Sequence, residues 1–209
     1  MKVLLINGSP HEKGCTYTAL REVADTLEQE GIQTEILFVG TEPVRGCMGC
    51  GGCAKQGGHR CVFDQDAVNL ALQKAEQADG FVFGSPVHYA AASGAMTSFL
   101  DRFFYAGRCF AQKPGAAVVS CRRAGSTAAL DQLNKYFTFA GMPVVASQYW
   151  NMVHGSTPEE VRQDQEGMQT MRVLGRNMAW LLQCIRAGRE AGVKDPAQEP
   201  RLWTNFIRP

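Results

Sequence analysis

The sequence predicts an α/β fold: a doubly wound five-stranded parallel sheet with helices on both faces. Three observations predict it. Short apolar runs alternate with stretches of helical periodicity along most of the chain. The first and third runs, Val3-Leu4-Leu5-Ile6 and Gly80-Phe81-Val82-Phe83-Gly84, are unbroken, as in strands buried on both faces by crossover helices. Each of these two runs ends in the same tripeptide, Gly8-Ser9-Pro10 and Gly84-Ser85-Pro86, a turn-forming signal where a strand should hand over to a loop.

Taken in order, the first strand gives way to a loop of small residues from Asn7 to Cys15. A helix follows from near Thr16, with Leu20, Val23, Ala24 and Leu27 on one stripe, and stops near Gly31. Ile32 to Val39 reads as a second strand, less uniformly apolar and so nearer a sheet edge. Residues 40–63 show no periodicity and form a long Gly- and Cys-rich excursion, the kind of loop that is usually functional. Asp64-Gln65-Asp66 opens a helix carrying Val68, Leu70, Ala71, Leu72 and Ala75. After the third strand, Gly80 to Gly84, comes Ser85-Pro86-Val87-His88-Tyr89. A helix with Met96, Phe99, Leu100 and Phe103 follows. Ala116 to Ser120 is the fourth strand, and Arg122 to Thr127 opens a helix that ends at Gly141. The fifth strand is expected within Pro143 to Trp150, and one long helix from about Pro158 to Arg186 closes the domain. This divides the chain into a domain of residues 1–186, with its Cys-rich loop at 46–63, and a polar tail of residues 187–209 with Trp203 and Phe206 as anchors.

At 209 residues the chain can bury a full core in one domain. A formal charge of +1 gives no steering toward nucleic acid or an anionic membrane. No apolar run reaches membrane-spanning length. The chain enters a strand after a single Lys, without signal-peptide architecture, which points to the cytoplasm. Eight cysteines are many for a reducing compartment, where clustered thiols point to metal or redox work. Cys47, Cys50, Cys53 and Cys61 crowd one loop, whereas Cys15, Cys109, Cys121 and Cys184 are scattered, Cys184 as buried filler in a helix.

A strand, a hydroxyl-bearing loop and a helix N-terminus make an anion site, because first-turn N–H groups have no intrahelical partner and the helix dipole adds positive charge there. Ser9, Thr16 and Thr18 are candidate hydroxyl donors to a phosphate; alternatively Ser9 and Thr16 only cap the helix. The dinucleotide fingerprint Gly-x-Gly-x-x-Gly is missing, and no Gly-Lys-Ser/Thr closes the loop. A phosphate site fitting neither suggests a mononucleotide, with flavin mononucleotide (FMN) one candidate. In the flavodoxin-like version of the doubly wound sheet the FMN lies between the first and third strands, the two that end in Gly-Ser-Pro.

The loop spacing, Cys47-x2-Cys50-x2-Cys53-x7-Cys61, shares its first three thiolates with the compact part of a bacterial ferredoxin run, and Gly46, Gly49, Gly51 and Gly52 let backbone wrap closely around an inorganic core. Zinc also accepts four thiolates. Free thiols or a disulfide beside a flavin are the third alternative.

The segments Val3 to Pro10 and Gly14-Cys15-Thr16-Tyr17-Thr18 resemble the opening of the NADPH-dependent FMN reductase family. Gly84 to Tyr89 and Phe99-Leu100-Asp101-Arg102 resemble its second flavin-contacting segment, and the cysteine loop is similar to that of the family's iron–sulfur flavoprotein branch. The resemblance runs from Met1 to about Trp150. It implies non-covalent FMN with its phosphate on Ser9, Cys15, Thr16 and Tyr17. The isoalloxazine would lie along Pro86, Val87, His88 and Tyr89, with Cys121 and Arg122 to Gly125 on the other flank. Position 15 is commonly Asn in the family; Cys15 keeps the backbone N–H but not that side-chain bond. The resemblance also implies a [4Fe–4S] cluster on the four loop cysteines, and a homodimer or homotetramer. His88 is equally readable as a structural histidine, and Asp101-Arg102 as a surface pair without a catalytic role.

Two functions are expected to compete. In the first, an FMN-dependent oxidoreductase passes electrons from NAD(P)H to a small acceptor such as a quinone or flavin, with no obligatory side-chain acid or base. In the second, an iron–sulfur flavoprotein carries electrons from a ferredoxin-like protein. A thiol-based redox sensor is a third reading.

Overall fold

A computed structural model of the chain describes residues 1–197, 199, 200, 202 and 204. Its strands are β1 (Lys2–Asn7), β2 (Gln33–Phe38), β3 (Gly80–His88), β4 (Ala91–Ala92), β5 (Gly115–Cys121) and β6 (Met152–His154). Its helices are α1 (Cys15–Gln29), α2 (Gly52–Lys55), α3 (Ala67–Ala75), α4 (Gly94–Ala106), α5 (Ser126–Phe139), α6 (Pro158–Gln163) and α7 (Gln165–Glu190). Five strands pair in parallel in the order β2-β1-β3-β5-β6, and the short β4 folds back antiparallel on β3. This is the flavodoxin-like topology, with its switch point between β1 and β3.

The strand residues alternate between two cores. Val3, Leu5, Val82, Ala116 and Val118 pack under α1 and α7, whereas Leu4, Ile6, Phe81, Phe83, Ala117 and Val119 pack under α3, α4 and α5. Both faces are apolar because both are covered. The edge strand β2 is only half-buried, as its mixed composition predicts. It is tied down by charge: Glu35 accepts from Lys2 on β1 at 2.6 Å and from Lys74 on α3 at 2.5 Å. Hydrogen bonds from these two ammonium groups hold the Glu35 carboxyl below its ordinary value of 4.5. A depressed carboxylate contributes stability above its unfolded value and loses it as pH falls through the folded one. E35Q is therefore expected to cost about 1 kcal/mol or less at pH 7, and the deficit should vanish in strong acid, as read by urea unfolding.

Several elements differ from the sequence expectation. The third strand does not stop at Gly84; it runs through Ser85 and Pro86 to His88. Phe81 N–H donates toward β5, to the Pro114 carbonyl, so by alternation position 86 faces the β1 side. There β1 has already ended, its last partner being Gly84 opposite Asn7, and the N–H that Pro86 lacks would have had no acceptor. The fifth parallel strand is Met152–His154, beyond the expected window. Gly115 faces Val144 and Val119 faces Met152, so β5 advances four residues while its neighbour advances eight. The surplus loops out around Ser147, whose hydroxyl donates to the Tyr149 carbonyl at 2.7 Å. The closing helix is two helices, broken at Asp164, whose carboxylate accepts from Gly167 N–H at 2.9 Å and His154 N–H at 2.7 Å. The second of them runs to Glu190, into the expected tail. Trp203 and Phe206 lie outside the described residues. Cys184 is exposed, off the buried stripe of Leu174, Met178 and Leu182. Helix α3 starts behind Asp66, not Asp64, with Asp66 accepting from Val68 N–H at 3.2 Å. Among the described residues no helix is long and apolar enough to cross a membrane.

Candidate functional site

The C-terminal ends of β1, β3 and β5 are bound into one rim by short polar contacts. Gly8 N–H donates to the Gly84 carbonyl at 2.9 Å, which joins the two Gly-Ser-Pro tripeptides directly. A Cβ on Gly84 would sit 2.7 Å from Leu20 and 2.8 Å from Thr16, so β3 can approach α1 this closely only without a side chain. Ser93, the N-cap of α4, donates to the Gly8 carbonyl at 2.8 Å and receives Met96 N–H, while its own N–H reaches Ser85 Oγ at 2.9 Å. Thr16 and Ser120 share a buried hydroxyl–hydroxyl bond of 2.8 Å between α1 and β5.

Two helices that start at this rim are left open. Helices α3, α4, α6 and α7 each begin with an Asp, Ser or Thr whose side chain accepts a first-turn N–H. Helices α1 and α5 instead begin at Gly14 and Gly125 with no side-chain cap. Caps are the ordinary way to satisfy orphan N–H groups, and an uncapped N-terminus is the place where an anion substitutes for one. Gly125 has φ +85°, and a Cβ there would lie 2.6 Å from Ala90 Cα, so the loop after β5 closes against the β3–β4 hairpin. That hairpin turns on Tyr89 (φ +49°) and Ala90 (φ +61°), a left-handed pair that costs non-glycine residues strain of the sort concentrated at functional sites.

The structure brings most of the predicted flavin residues to this rim, but with other roles for several side chains. Ser9 is buried and its hydroxyl accepts His11 N–H at 3.1 Å. The Thr16 hydroxyl pairs with that of Ser120, and the Thr18 hydroxyl donates to the Gly14 carbonyl at 3.1 Å, so Thr18 offers no hydroxyl donor to a phosphate. The helix is not capped by Ser9 or Thr16. Tyr17 lines a small hollow with Arg21, Arg162 and Met168. Pro86 and Val87 are half-buried, His88 is exposed, and Tyr89 stands fully in solvent. Cys121 is buried at the end of β5; burial pushes its thiol up against the hydrogen bond with Ser126. Burial, then Glu160 and Glu159, push the Cys15 thiol up as well, and its Sγ donates to the Gly155 carbonyl at 3.7 Å. Both are held as neutral thiols, so neither is a ready nucleophile.

The cysteine excursion is fastened to α3 and α4. Cys61 N–H donates to Asn69 Oδ1 at 2.8 Å, and Asn69 Nδ2 returns bonds to the carbonyls of Cys61 and Phe63 at 3.0 and 3.1 Å. His59 N–H reaches the Ala106 carbonyl at 2.8 Å. His59 and Arg60 are engaged by Glu76 and Asp64. One turn of helix, α2, carries Cys53 inward; Cys53 and Cys61 are buried, Cys47 and Cys50 exposed. Gly49 and Gly51 take left-handed φ of +64° and +66°, as a tight wrap requires.

All four thiols line one cavity of about 20 Å³ with Phe63, Arg102 and Tyr105. Gly52 N–H points at Cys50 Sγ at 3.5 Å and Arg102 Nε–H at Cys61 Sγ at 3.3 Å. Four cysteines around one cavity, with N–H donors aimed at two of their sulfurs, match the donor set of an iron–sulfur cluster. The cavity has room for about one water, so a cluster requires the exposed segment around Cys50 to move outward. Among the described residues no three Cys, His, Asp or Glu side chains converge on a single point.

Sequence reading missed Arg102, expected at the surface and found fully buried. Its signal was its place three residues after Phe99, on the flank of the apolar stripe of α4. It also missed Asn69, Ser93 and Gln132, which donate or accept across elements and leave no periodic trace. Beside the loop, a groove of about 590 Å³ runs between Cys47 and the aromatic residues Phe104, Tyr105, Tyr136 and Phe139. In it Tyr136 donates to Asp101 at 2.5 Å. Of the Phe103-Phe104-Tyr105 run, Phe103 is core and Tyr105 lines this groove.

The model of the NADPH-dependent FMN reductase family matches residues 1–157 of the chain. An iron–sulfur flavoprotein of Methanocaldococcus jannaschii is 30% identical over 195 residues, covering 89% of this chain and 100% of that protein. A RosB structure holding 8-demethyl-8-formylriboflavin-5'-phosphate superposes with TM-score 0.68 at 16% identity, covering 100% of this chain and 94% of that one. An NAD(P)H:quinone oxidoreductase from Methanothermobacter marburgensis superposes with TM-score 0.65 at 14% identity, over 85% and 96% of the two chains.

Proposed function

The chain belongs to the NADPH-dependent FMN reductase family, and from that membership we propose that it binds FMN at the β1–β3–β5 rim and passes electrons from NAD(P)H to a small acceptor such as a quinone or a flavin. The observation that carries the proposal is the pair of uncapped helices at the rim, in a molecule whose other long helices are capped. The N–H groups of Cys15, Thr16 and Tyr17 would hold the phosphate, and the segment from Pro86 to Tyr89 and the loop from Arg122 to Gly125 would flank the ring. FMN, when bound, supplies hydride acceptance from a nicotinamide and electron release to an acceptor. The protein's part is to fix that ring against a rigid edge. Ser93 does this by tying β1, β3 and α4 together, and Gly125 by letting the β5 loop close on the hairpin. Donor and acceptor would use one open face in turn, which gives ping-pong kinetics. On its polar side Arg122 or Arg123 would meet a reduced ring or a nicotinamide's phosphate.

A second reading is supported by a different observation, the four cysteines that line one cavity. Cys47, Cys50, Cys53 and Cys61 would hold a [4Fe–4S] cluster, which supplies one-electron exchange, and the protein would then be an electron carrier served by a ferredoxin-like partner. The M. jannaschii relative's name supports the cluster part of this reading. Anaerobic purification followed by an absorbance spectrum, an iron assay and NAD(P)H oxidation tests both. Stoichiometric FMN and rapid oxidation are expected for the reductase; bound iron with slow oxidation would favour the carrier. Pure protein that neither is yellow nor quenches added FMN would overturn both.

A further inference from the structure

Among the described residues Arg102 is the largest that is fully buried, and its guanidinium reaches both the start and the end of the cysteine excursion and the Asp66 cap of α3. Nη1 donates to the Asp66 carboxylate and to the Arg45 carbonyl at 3.2 Å, and Nη2 to the Phe63 carbonyl at 2.6 Å. Nε–H is aimed at Cys61 Sγ at 3.3 Å. The ring of Phe63 lies 5.7 Å from the guanidinium carbon. A buried cation is costly unless every donor is matched, and here the matches come from both ends of the loop at once. The bond to sulfur is the one that touches chemistry.

We propose that Arg102 is a positioning and tuning residue for the loop cluster: its Nε–H orients the Cys61 thiolate, and its charge, partly offset by Asp66, sets the cluster's reduction potential. The proposal rests on the cluster reading above. A hydrogen bond or positive charge directed at a ligand sulfur stabilises the more negative, reduced state and raises the potential. The Asp66 carboxylate, beside the same guanidinium, opposes it.

Opposite signs follow for two conservative variants. R102K keeps the charge and the Asp66 pair but lacks a planar fork able to reach carboxylate and sulfur together, so the potential should fall. D66N keeps the α3 cap, since Asn caps as well as Asp, but removes the opposing charge, so the potential should rise. A tenfold change in the oxidised-to-reduced ratio, which is about 59 mV for one electron, is the expected size of each shift. The experiment reconstitutes the full chain anaerobically with iron and sulfide, measures iron per chain, and follows the potential by an EPR-monitored redox titration. Opposite shifts support the proposal, as does iron loss in R102K alone with a raised potential in D66N. Equal or same-direction potentials in loaded variants, an unshifted D66N, or iron loss in both variants would overturn it and leave Arg102 a purely structural bracket. Wild-type chain that takes up no iron would remove the cluster reading itself.

Discussion

Riboflavin is expected to bind this chain at least about a hundredfold more weakly than FMN, a gap of about 2.8 kcal/mol. The two differ by a phosphate, and the rim leaves the first-turn N–H groups of α1 without a side-chain cap. Charge-assisted hydrogen bonds contribute about 1.5–3 kcal/mol each, and the helix dipole adds up to about 1 kcal/mol. Part of this is offset by desolvating a dianion, so two to three N–H bonds yield the stated gap. G14D tests the same point from the protein's side. An aspartate at the N-cap supplies the missing acceptor and places a negative charge where the phosphate belongs. Its Cβ would meet His11 Cβ at 2.9 Å, so the turn from His11 to Gly14 must shift slightly; His11 is exposed and the turn can yield. In G14D the affinity for FMN should drop to that for riboflavin while riboflavin's own affinity stays where it was. Fluorescence quenching titrations of both ligands measure it. Equal binding of the two flavins by the wild-type chain would show that the phosphate is not held at α1.

What was legible in the sequence follows from what periodicity can encode. The buried strands are written in consecutive apolar residues, and β1, β3 and β5 lie where those runs are. The rim was legible because Gly-Ser-Pro occurs twice. Its meaning was misread at the second copy: alternation of N–H direction in β3, together with the early end of β1, makes Pro86 a strand residue. Neither fact is local. The same holds for β6, where a Pro-bearing run begins to pair at Val144 and is displaced before pairing resumes at Met152. Side-chain roles were least legible. The Thr16 hydroxyl has a buried partner in Ser120, 104 residues away, which the local pattern does not announce. Arg102 looked like half of a surface pair until the returning cysteine loop buried it. Polar residues take their roles from partners distant in the chain, and a one-dimensional pattern does not contain those partners.

The double variant C50S/C53S is expected to lower bound iron at least tenfold, with FMN content unchanged. The two positions differ in exposure, Cys50 open and Cys53 buried with its Sγ 3.9 Å from the Tyr105 carbonyl, so the pair removes one exposed and one buried ligand of the cavity. Serine is a poor substitute for thiolate on iron, because hard oxygen does not match a ligand set chosen for soft sulfur. Stability should change little: the loop is fastened by Asn69 and Arg102, and neither bonds to position 50 or 53. The flavin rim shares none of its contacts with these two residues. The variant therefore separates the two functional readings. A reductase working through its flavin alone should keep NAD(P)H-to-quinone turnover within about threefold, about 0.65 kcal/mol in the barrier, and lose nothing else. An electron carrier should keep its flavin and lose most of its exchange with a one-electron protein partner. Iron assay, flavin release and stopped-flow reduction on one preparation give all three numbers. If iron persists in the variant, the four thiols are not its ligands, and if flavin is lost with the iron, the rim and the loop are more tightly joined than their hydrogen bonds indicate.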